Sequence, residues 1–326
     1  MQKINGISAE KTVLDNLREN TTGEAIQTYC GYVAIVGRPN VGKSTLLNDI
    51  LGQKLSITSR KPQTTRQQIL GIKTKDNYQI IYADTPGMHK NANRAMNKLM
   101  NRAAFTALHD VNVILFITDA RIWTQEDDLV LEKIKNIGTP VILVLNKTDF
   151  FKNKKELLPV IKERAAKINF ADVVPISALK RENIEVLEQC INRFIPHNKY
   201  IYSCEQITDR DNNFLISEII REKIMRITGA EIPYDTLVNL ESITKKNAVI
   251  HIDAVIWVQR PGQKIIVIGK NGERIKEIGT QARFDIEKLL SQQENKKIKV
   301  HLTLWVKVKA NWSSDEQFLN KLWRQN

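Results

Sequence analysis

The sequence predicts a doubly wound α/β domain with a mostly parallel sheet, followed by a smaller α+β module. Three observations carry that expectation. Between residue 31 and about residue 196, fully apolar runs alternate with charged stretches of helical period; a complete phosphate-loop motif follows the first run; and after residue 211 both the order of elements and the charge balance change. Continuous β-rich runs separated by helices imply a sheet covered on both faces, whose ligands lie beyond the carboxyl ends of its strands.

The first run, residues 32–36, leads into Gly37-Arg38-Pro39-Asn40-Val41-Gly42-Lys43-Ser44, a G-x-x-x-x-G-K-[ST] loop, and helix-compatible sequence follows from Thr45 to Leu51. Strand, glycine-rich turn and helix are the placement that lets backbone N–H groups and a helix N-terminus converge on a polyphosphate. Lys43 is expected to reach the β/γ-phosphates and Ser44 to ligate Mg2+.

Further runs fill residues 78–83, 111–118, 141–145 and 173–176, and the chemically suggestive segments follow their ends. Asp84-Thr85-Pro86-Gly87 places a carboxylate at a strand tip, where it can hold Mg2+ through water, with the Gly87 N–H facing the γ-phosphate. In Asn146-Lys147-Thr148-Asp149 the Asp149 carboxylate suits guanine, which offers N1–H and N2–H together. Adenine lacks that pair of donors, so a buried acceptor selects GTP over ATP. Ser177-Ala178-Leu179 completes the base pocket. The order of these four elements resembles translation-factor-like GTPases, which implies GTP and GDP as ligands and GTP hydrolysis as the reaction.

Residues 60–66, inside a stretch free of acids from Gln53 to Lys75, are expected to form a mobile switch. In GTPases with the Thr-Thr-Arg pattern the threonine directly before the arginine ligates Mg2+; mapped here that is Thr65, with Thr64 as the alternative. Met88 follows Gly87 where Ras-like proteins place a water-orienting glutamine, and an apolar side chain cannot orient water. The sequence therefore resembles GTPases in which a phosphate-loop asparagine, here Asn40, helps hold K+ beside the phosphates. Lys43, Thr65 and Gly87 are the expected catalytic groups.

Phe194-Ile195-Pro196 closes the last helix, and residues 197–211 read as a linker to the second module: a helix at about 212–228, strands at about 236–243 and 248–258, a helical region on either side of Gly269-Lys270-Asn271-Gly272, and a strand at 300–308. Residues 205–259 carry 6 Lys/Arg against 9 Asp/Glu, whereas residues 260–309 carry 12 against 5, a basic half suited to a polyanion groove. The G-x-x-G loop resembles that of KH modules, which clamps single-stranded nucleic acid. Gly269, Lys270, Asn271, Gly272, Arg274 and Lys276 are the expected RNA contacts.

A chain of 326 residues with net charge +13 suits two folded domains and an acidic partner, although an anionic membrane surface would feel the same field. Cys30, Cys190 and Cys204 indicate neither a disulfide framework nor a zinc site. No apolar run approaches the roughly 20 residues needed to span a bilayer. Residues 1–29 read as an extension.

Together the motifs G-R-P-N-V-G-K-S, Q-T-T-R, D-T-P-G-M, N-K-T-D, S-A-L, I-T-D-R, V-I-G-K-N-G and L-W-V-K-V-K resemble the Era family of bacterial ribosome-assembly GTPases over about residues 29–314. The resemblance implies a P-loop GTPase domain at 30–196 and a type II KH domain with a C-terminal tail at 212–326. It further implies a monomer that binds the 3' end of 16S rRNA and the 30S subunit. The implied location is cytoplasmic, with weak peripheral association at the inner membrane.

Overall fold

The computed structural model describes residues 27–57, 65–66, 68–85, 108, 110–228, 232, 236–315 and 317–319. The expectations for residues before 27, for Thr64, and for Gly87 and Met88 fall outside these residues.

The first domain is built on a six-stranded sheet: β1 (Tyr29–Val36), β2 (Ile69–Lys75), β3 (Tyr78–Asp84), β4 (Val113–Asp119), β5 (Val141–Asn146) and β6 (Asp172–Pro175), in the spatial order β2-β3-β1-β4-β5-β6. All neighbouring pairs are parallel except β2 with β3. Alternate residues of β1 serve opposite cores. Val33 and Ile35 pack with Leu46, Leu47 and Ile50 of α1 (Lys43–Leu51) and with Leu187 and Ile191 of α4 (Ile184–Asn192). Ala34 and Val36 pack on the other face with Val130, Leu131 and Ile134 of α2 (Gln125–Ile134). A further helix, α3 (Leu157–Ala165), precedes β6.

Chain order runs from β1 toward β3 on one side and then to β4 on the other. The phosphate loop leaves β1 at that reversal, the crevice where doubly wound sheets bind their ligands.

Strand β2 corrects the sequence reading, which assigned no strand between residues 53 and 75. Its sequence Ile-Leu-Gly-Ile-Lys-Thr-Lys is short, broken by glycine and polar toward its end, so no continuous apolar run announces it. It pairs in an antiparallel hairpin with β3 around Asp76 and Asn77, with Asp76 at φ 54°. The segment read as a linker runs against this edge. Ile72 N donates to Ile207 O at 2.8 Å, Gly71 forms an isolated bridge with Thr208, and the buried Gln79 amide accepts from Ile201 N and Tyr202 N while donating to Tyr202 O. An edge strand that would otherwise present open N–H and C=O groups is thereby covered.

The second module follows the order helix, two strands, two helices, strand: α5 (Asn212–Ile227), β7 (Thr236–Lys246), β8 (Val249–Val258), α6 (Pro261–Ile268), α7 (Glu273–Gln293) and β9 (Lys299–Val308). β7 and β8 are antiparallel, and β8 and β9 parallel. Its core joins Ile252, Ala254 and Ile256 of β8 to Ile220 and Ile224 of α5 and to Ile278, Ala282 and Ile286 of α7. Phe284, on the same helix α7, is 68% exposed and lies outside that core. Helix α5 belongs to both cores: Phe214 and Leu215 join the first, while Ile216, Ile220 and Ile224 join the second. Each buried side chain of this size contributes about 1.5–3 kcal/mol, so the helix is anchored at both ends.

Candidate functional site

Gly42 is fixed by its surroundings. With φ at +105° and Asn146 Nδ2 only 2.2 Å from where a Cβ would stand, no L side chain fits. The loop glycine thus makes room for the base-site asparagine as well as for an anion.

Lys43 begins α1 with its side chain folded over the loop, Nζ donating to Gly37 O and Arg38 O at 3.0 Å each. Burial lowers its pKa to about 8, opposed by the charge of Asp84. Arg38 is tied down in turn: its Nε lies 3.0 Å from Oδ2 of the buried Asp127, which also closes the capping box of α2 with Thr124. Pro39 and Thr45 are partly buried, Val41 is fully buried, and Asn40 is exposed at φ 63°.

Three oxygens converge beside this loop. Ser44 Oγ lies 3.0 Å from Thr65 Oγ1, and each hydroxyl donates to Asp84 Oδ2 at 3.1 Å. All three residues are buried, and Asp84 Oδ1 has no hydrogen-bond partner among the described residues. Burial pushes the Asp84 carboxyl above its ordinary range, against the pull of Lys43 and the two hydroxyls. A buried carboxylate with one unused oxygen beside two hydroxyls is a donor set for a hard divalent cation such as Mg2+. The residues present fit that ion. Thr65 was expected on a mobile, polar segment, yet it and Arg66 are 4% and 5% exposed.

At the base site Asn146 ties three motifs together. Its Nδ2 donates to Val41 O at 2.8 Å, while its Oδ1 accepts from Lys147 N at 2.8 Å and Ala178 N at 3.0 Å. Lys147, at φ 68°, reaches back to Asn40 O at 2.7 Å and to Asp119 Oδ2 at 2.9 Å. Asp149 Oδ1 accepts from Ser177 Oγ at 2.7 Å, so the acceptor carboxylate is held from one side. Leu179, by contrast, is 77% exposed.

Asp119, Arg121 and Asp127 escaped the sequence reading. Asp119 ends β4 as Asp84 ends β3, and an acid closing an apolar run was the available signal. Burial works against its ionisation, but donors from Arg121 and Lys147 outweigh that and hold the carboxyl well below its usual range.

In the second module Gly269 and Gly272 both have positive φ, at +76° and +77°, and a Cβ on Gly269 would stand 2.7 Å from that of Arg274. Lys270, Asn271 and Lys276 are exposed around the N-terminus of α7, which has no side-chain cap. Exposed N–H groups at a helix start favour phosphate. Arg274 braces the loop, donating from Nη1 to Ile266 O at 2.5 Å.

The two modules touch directly. Arg66 Nη1 donates to Thr236 O, and Lys54 Nζ pairs with Glu222 and Asp285.

Family models match two stretches of the chain: one described as a 50S ribosome-binding GTPase over residues 32–147, and a KH domain over residues 231–313. The GTPase Era of Ectopseudomonas mendocina (strain ymp) is 52% identical over 293 residues, covering 90% of this chain and 96% of its own. The chain belongs to the Era family of GTPases. Era from Coxiella burnetii (strain Dugway 5J108-111) is 51% identical over 295 residues, covering 90% of this chain and 98% of its own. Two solved Era structures are similar over 90% of this chain. A point variant of Aquifex aeolicus Era bound to GDP·AlF4− has 38% identity and a TM-score of 0.86, covering 90% of this chain and 99% of that one. Era in complex with MgGDPNP and nucleotides 1506–1542 of 16S ribosomal RNA has 39% identity and a TM-score of 0.87, covering 90% and 98%. Like the family it belongs to, the chain joins a GTPase domain with a mostly parallel sheet to a C-terminal KH domain.

Proposed function

We propose that this GTPase is a switch that grips the 3' end of 16S rRNA through its KH module while GTP is bound, acts in 30S subunit assembly, and lets go after hydrolysis. The observation that carries the reading is the Ser44–Thr65–Asp84 oxygen cluster at one end of a chain whose other end presents the Gly269–Gly272 loop. An Era in complex with MgGDPNP and 16S rRNA nucleotides, similar to this chain over 90% of its length, supports it. The proposed division is residues 30–196 for the GTPase domain, 197–211 for the linker and 212–326 for the KH domain with its tail.

In this reading residues 37–45 cradle the phosphates, and Lys43 exchanges the carbonyls of Gly37 and Arg38 for the β/γ-phosphates. Ser44, Thr65 and Asp84 hold Mg2+, which when bound neutralises charge developing on the phosphate oxygens. Gly87, beyond the described residues, is assigned the γ-phosphate contact. Asn146, Lys147, Ser177, Ala178 and Leu179 shape the base pocket, and Asp149 selects guanine. Gly269, Lys270, Asn271, Gly272, Arg274 and Lys276 take RNA phosphates.

With methionine rather than glutamine at position 88, intrinsic turnover is expected to be slow, and K+ held with the help of Asn40 is assigned part of the charge stabilisation. Asn40 is exposed beside the loop, its carbonyl fixed by Lys147. Turnover is therefore expected to be faster in potassium than in sodium buffer at equal ionic strength. Equal rates would remove K+ from the mechanism.

The switch is tested by retention of a short single-stranded RNA with the 16S 3'-end sequence on the full chain without nucleotide, with a non-hydrolysable GTP analogue, and with GDP. Retention is expected to be strongest with the analogue. Identical retention in all three states sinks the reading, and stronger retention on anionic vesicles than on RNA would favour a peripheral membrane role instead.

A further inference from the structure

Thr65 and Arg66 are chain neighbours anchored in different domains. Thr65 Oγ1 stands 3.0 Å from Ser44 Oγ and 3.1 Å from Asp84 Oδ2, whereas Arg66 Nη1 donates to Thr236 O at 2.5 Å across the domain boundary. Neither anchor is a surface contact: Thr65, Arg66 and Thr236 are 4%, 5% and 0% exposed. A guanidinium withdrawn from water is tolerated only where its hydrogen bonds are replaced, so the contact fixes geometry rather than decorating a surface. One planar peptide unit separates the two residues, and it transmits a displacement of either to the other.

The far anchor is also well placed. Thr236 opens β7 and pairs in register with Val258, the last residue of β8, after which the chain turns through α6 into the Gly269–Gly272 loop. A shift at the RNA-facing end of that sheet therefore reaches the carbonyl that Arg66 holds.

We infer that Arg66 is a positioning residue for GTP hydrolysis: tethered to the Thr236 carbonyl, it keeps Thr65 at the oxygens of Ser44 and Asp84, making the KH module part of the scaffold of the GTPase site. The inference deepens the switch reading above and rests on it for its RNA consequence alone. Because coupling between two binding sites is reciprocal, RNA that moves β7 alters the nucleotide site, and nucleotide that orders Thr65 alters the RNA site. Lys54 supplies a control. It bridges the same boundary to Glu222 and Asp285, but its side chain is 42% exposed and contacts none of the three oxygens.

The test uses the full-length chain and three variants: Arg66→Met, which keeps the apolar stem but no donor, Arg66→Lys, which restores a charged donor, and Lys54→Ala. Misplacing a reacting group by about 1 Å can cost up to about 100-fold in rate, so kcat for Arg66→Met is expected to fall at least about tenfold. KM and the affinity for a fluorescent GDP analogue should stay within about twofold, because the tether acts on the chemical step rather than on ground-state binding. Arg66→Lys should recover part of the loss, and Lys54→Ala should retain the wild-type kcat. The ratio of RNA retention between GTP-analogue and GDP states should fall toward one in Arg66→Met. A wild-type kcat in Arg66→Met overturns the inference. So does equal loss in Arg66→Met and Lys54→Ala, which would implicate docking in general, and so does an absence of recovery by lysine. If the wild-type protein itself retains RNA equally in every nucleotide state, the switch reading fails, while the kcat comparison still decides the role of Arg66.

Discussion

Replacing Asp149 by asparagine is expected to lower GTP affinity by roughly 100- to 10,000-fold while creating affinity for xanthosine triphosphate. Each hydrogen bond to a charged group is worth about 1.5–3 kcal/mol, and the carboxylate is assigned two of them, from N1–H and N2–H of guanine. An asparagine keeps one acceptor and turns a donor toward the guanine amino group, which is repulsive. Xanthine carries a carbonyl at that position and accepts from the new amide. The substitution leaves the fold in place, because the hydrogen bond that Ser177 Oγ donates to this residue at 2.7 Å is accepted equally well by an amide oxygen. Competition of both triphosphates against a fluorescent GDP analogue checks the result. Undiminished GTP affinity, or no gain with the xanthine nucleotide, would remove Asp149 from base selection.

The double change Lys270→Asp with Asn271→Asp should reduce affinity for single-stranded RNA by about 100-fold or more at moderate salt, with GTP affinity unchanged. The substitution removes one cation and sets two anions where phosphates are assigned, and backbone charge dominates nucleic-acid affinity. Both residues are exposed, so no core contact is lost. Asn271 sits at φ 51°, a left-handed conformation that aspartate tolerates nearly as well as asparagine, so the loop keeps its shape. Filter binding across a salt series measures the effect, and the variant should also show a shallower salt dependence. RNA affinity that survives the change would place the clamp elsewhere on the module.

Much of this architecture was readable from the chain because its signals are local. Five strands of the first sheet are apolar runs, and the phosphate loop, D-T-P-G, N-K-T-D and S-A-L each sit in the turn that follows one of them. Strand β2 was hidden because Gly71, Lys73, Thr74 and Lys75 break its pattern, and only pairing with β3 makes it a strand. Asp119 was hidden for a related reason: what distinguishes it is Lys147 and Arg121 arriving in space. Arg66 was legible as part of Q-T-T-R, but its reach to Thr236 joins residues 170 positions apart, and no periodicity encodes such a meeting. Fold class follows from short-range pattern; the wiring between domains follows from packing.

Helix α5, with Phe214 and Leu215 rooted in one core and Ile220 and Ile224 in the other, acts as a rigid axle rather than a leash. Whatever motion separates the gripping and released postures must pivot around that axle or roll along it. Free swinging of one half about the other is ruled out while both roots hold, which restricts the number of postures and makes a small push at the phosphate end consequential far away.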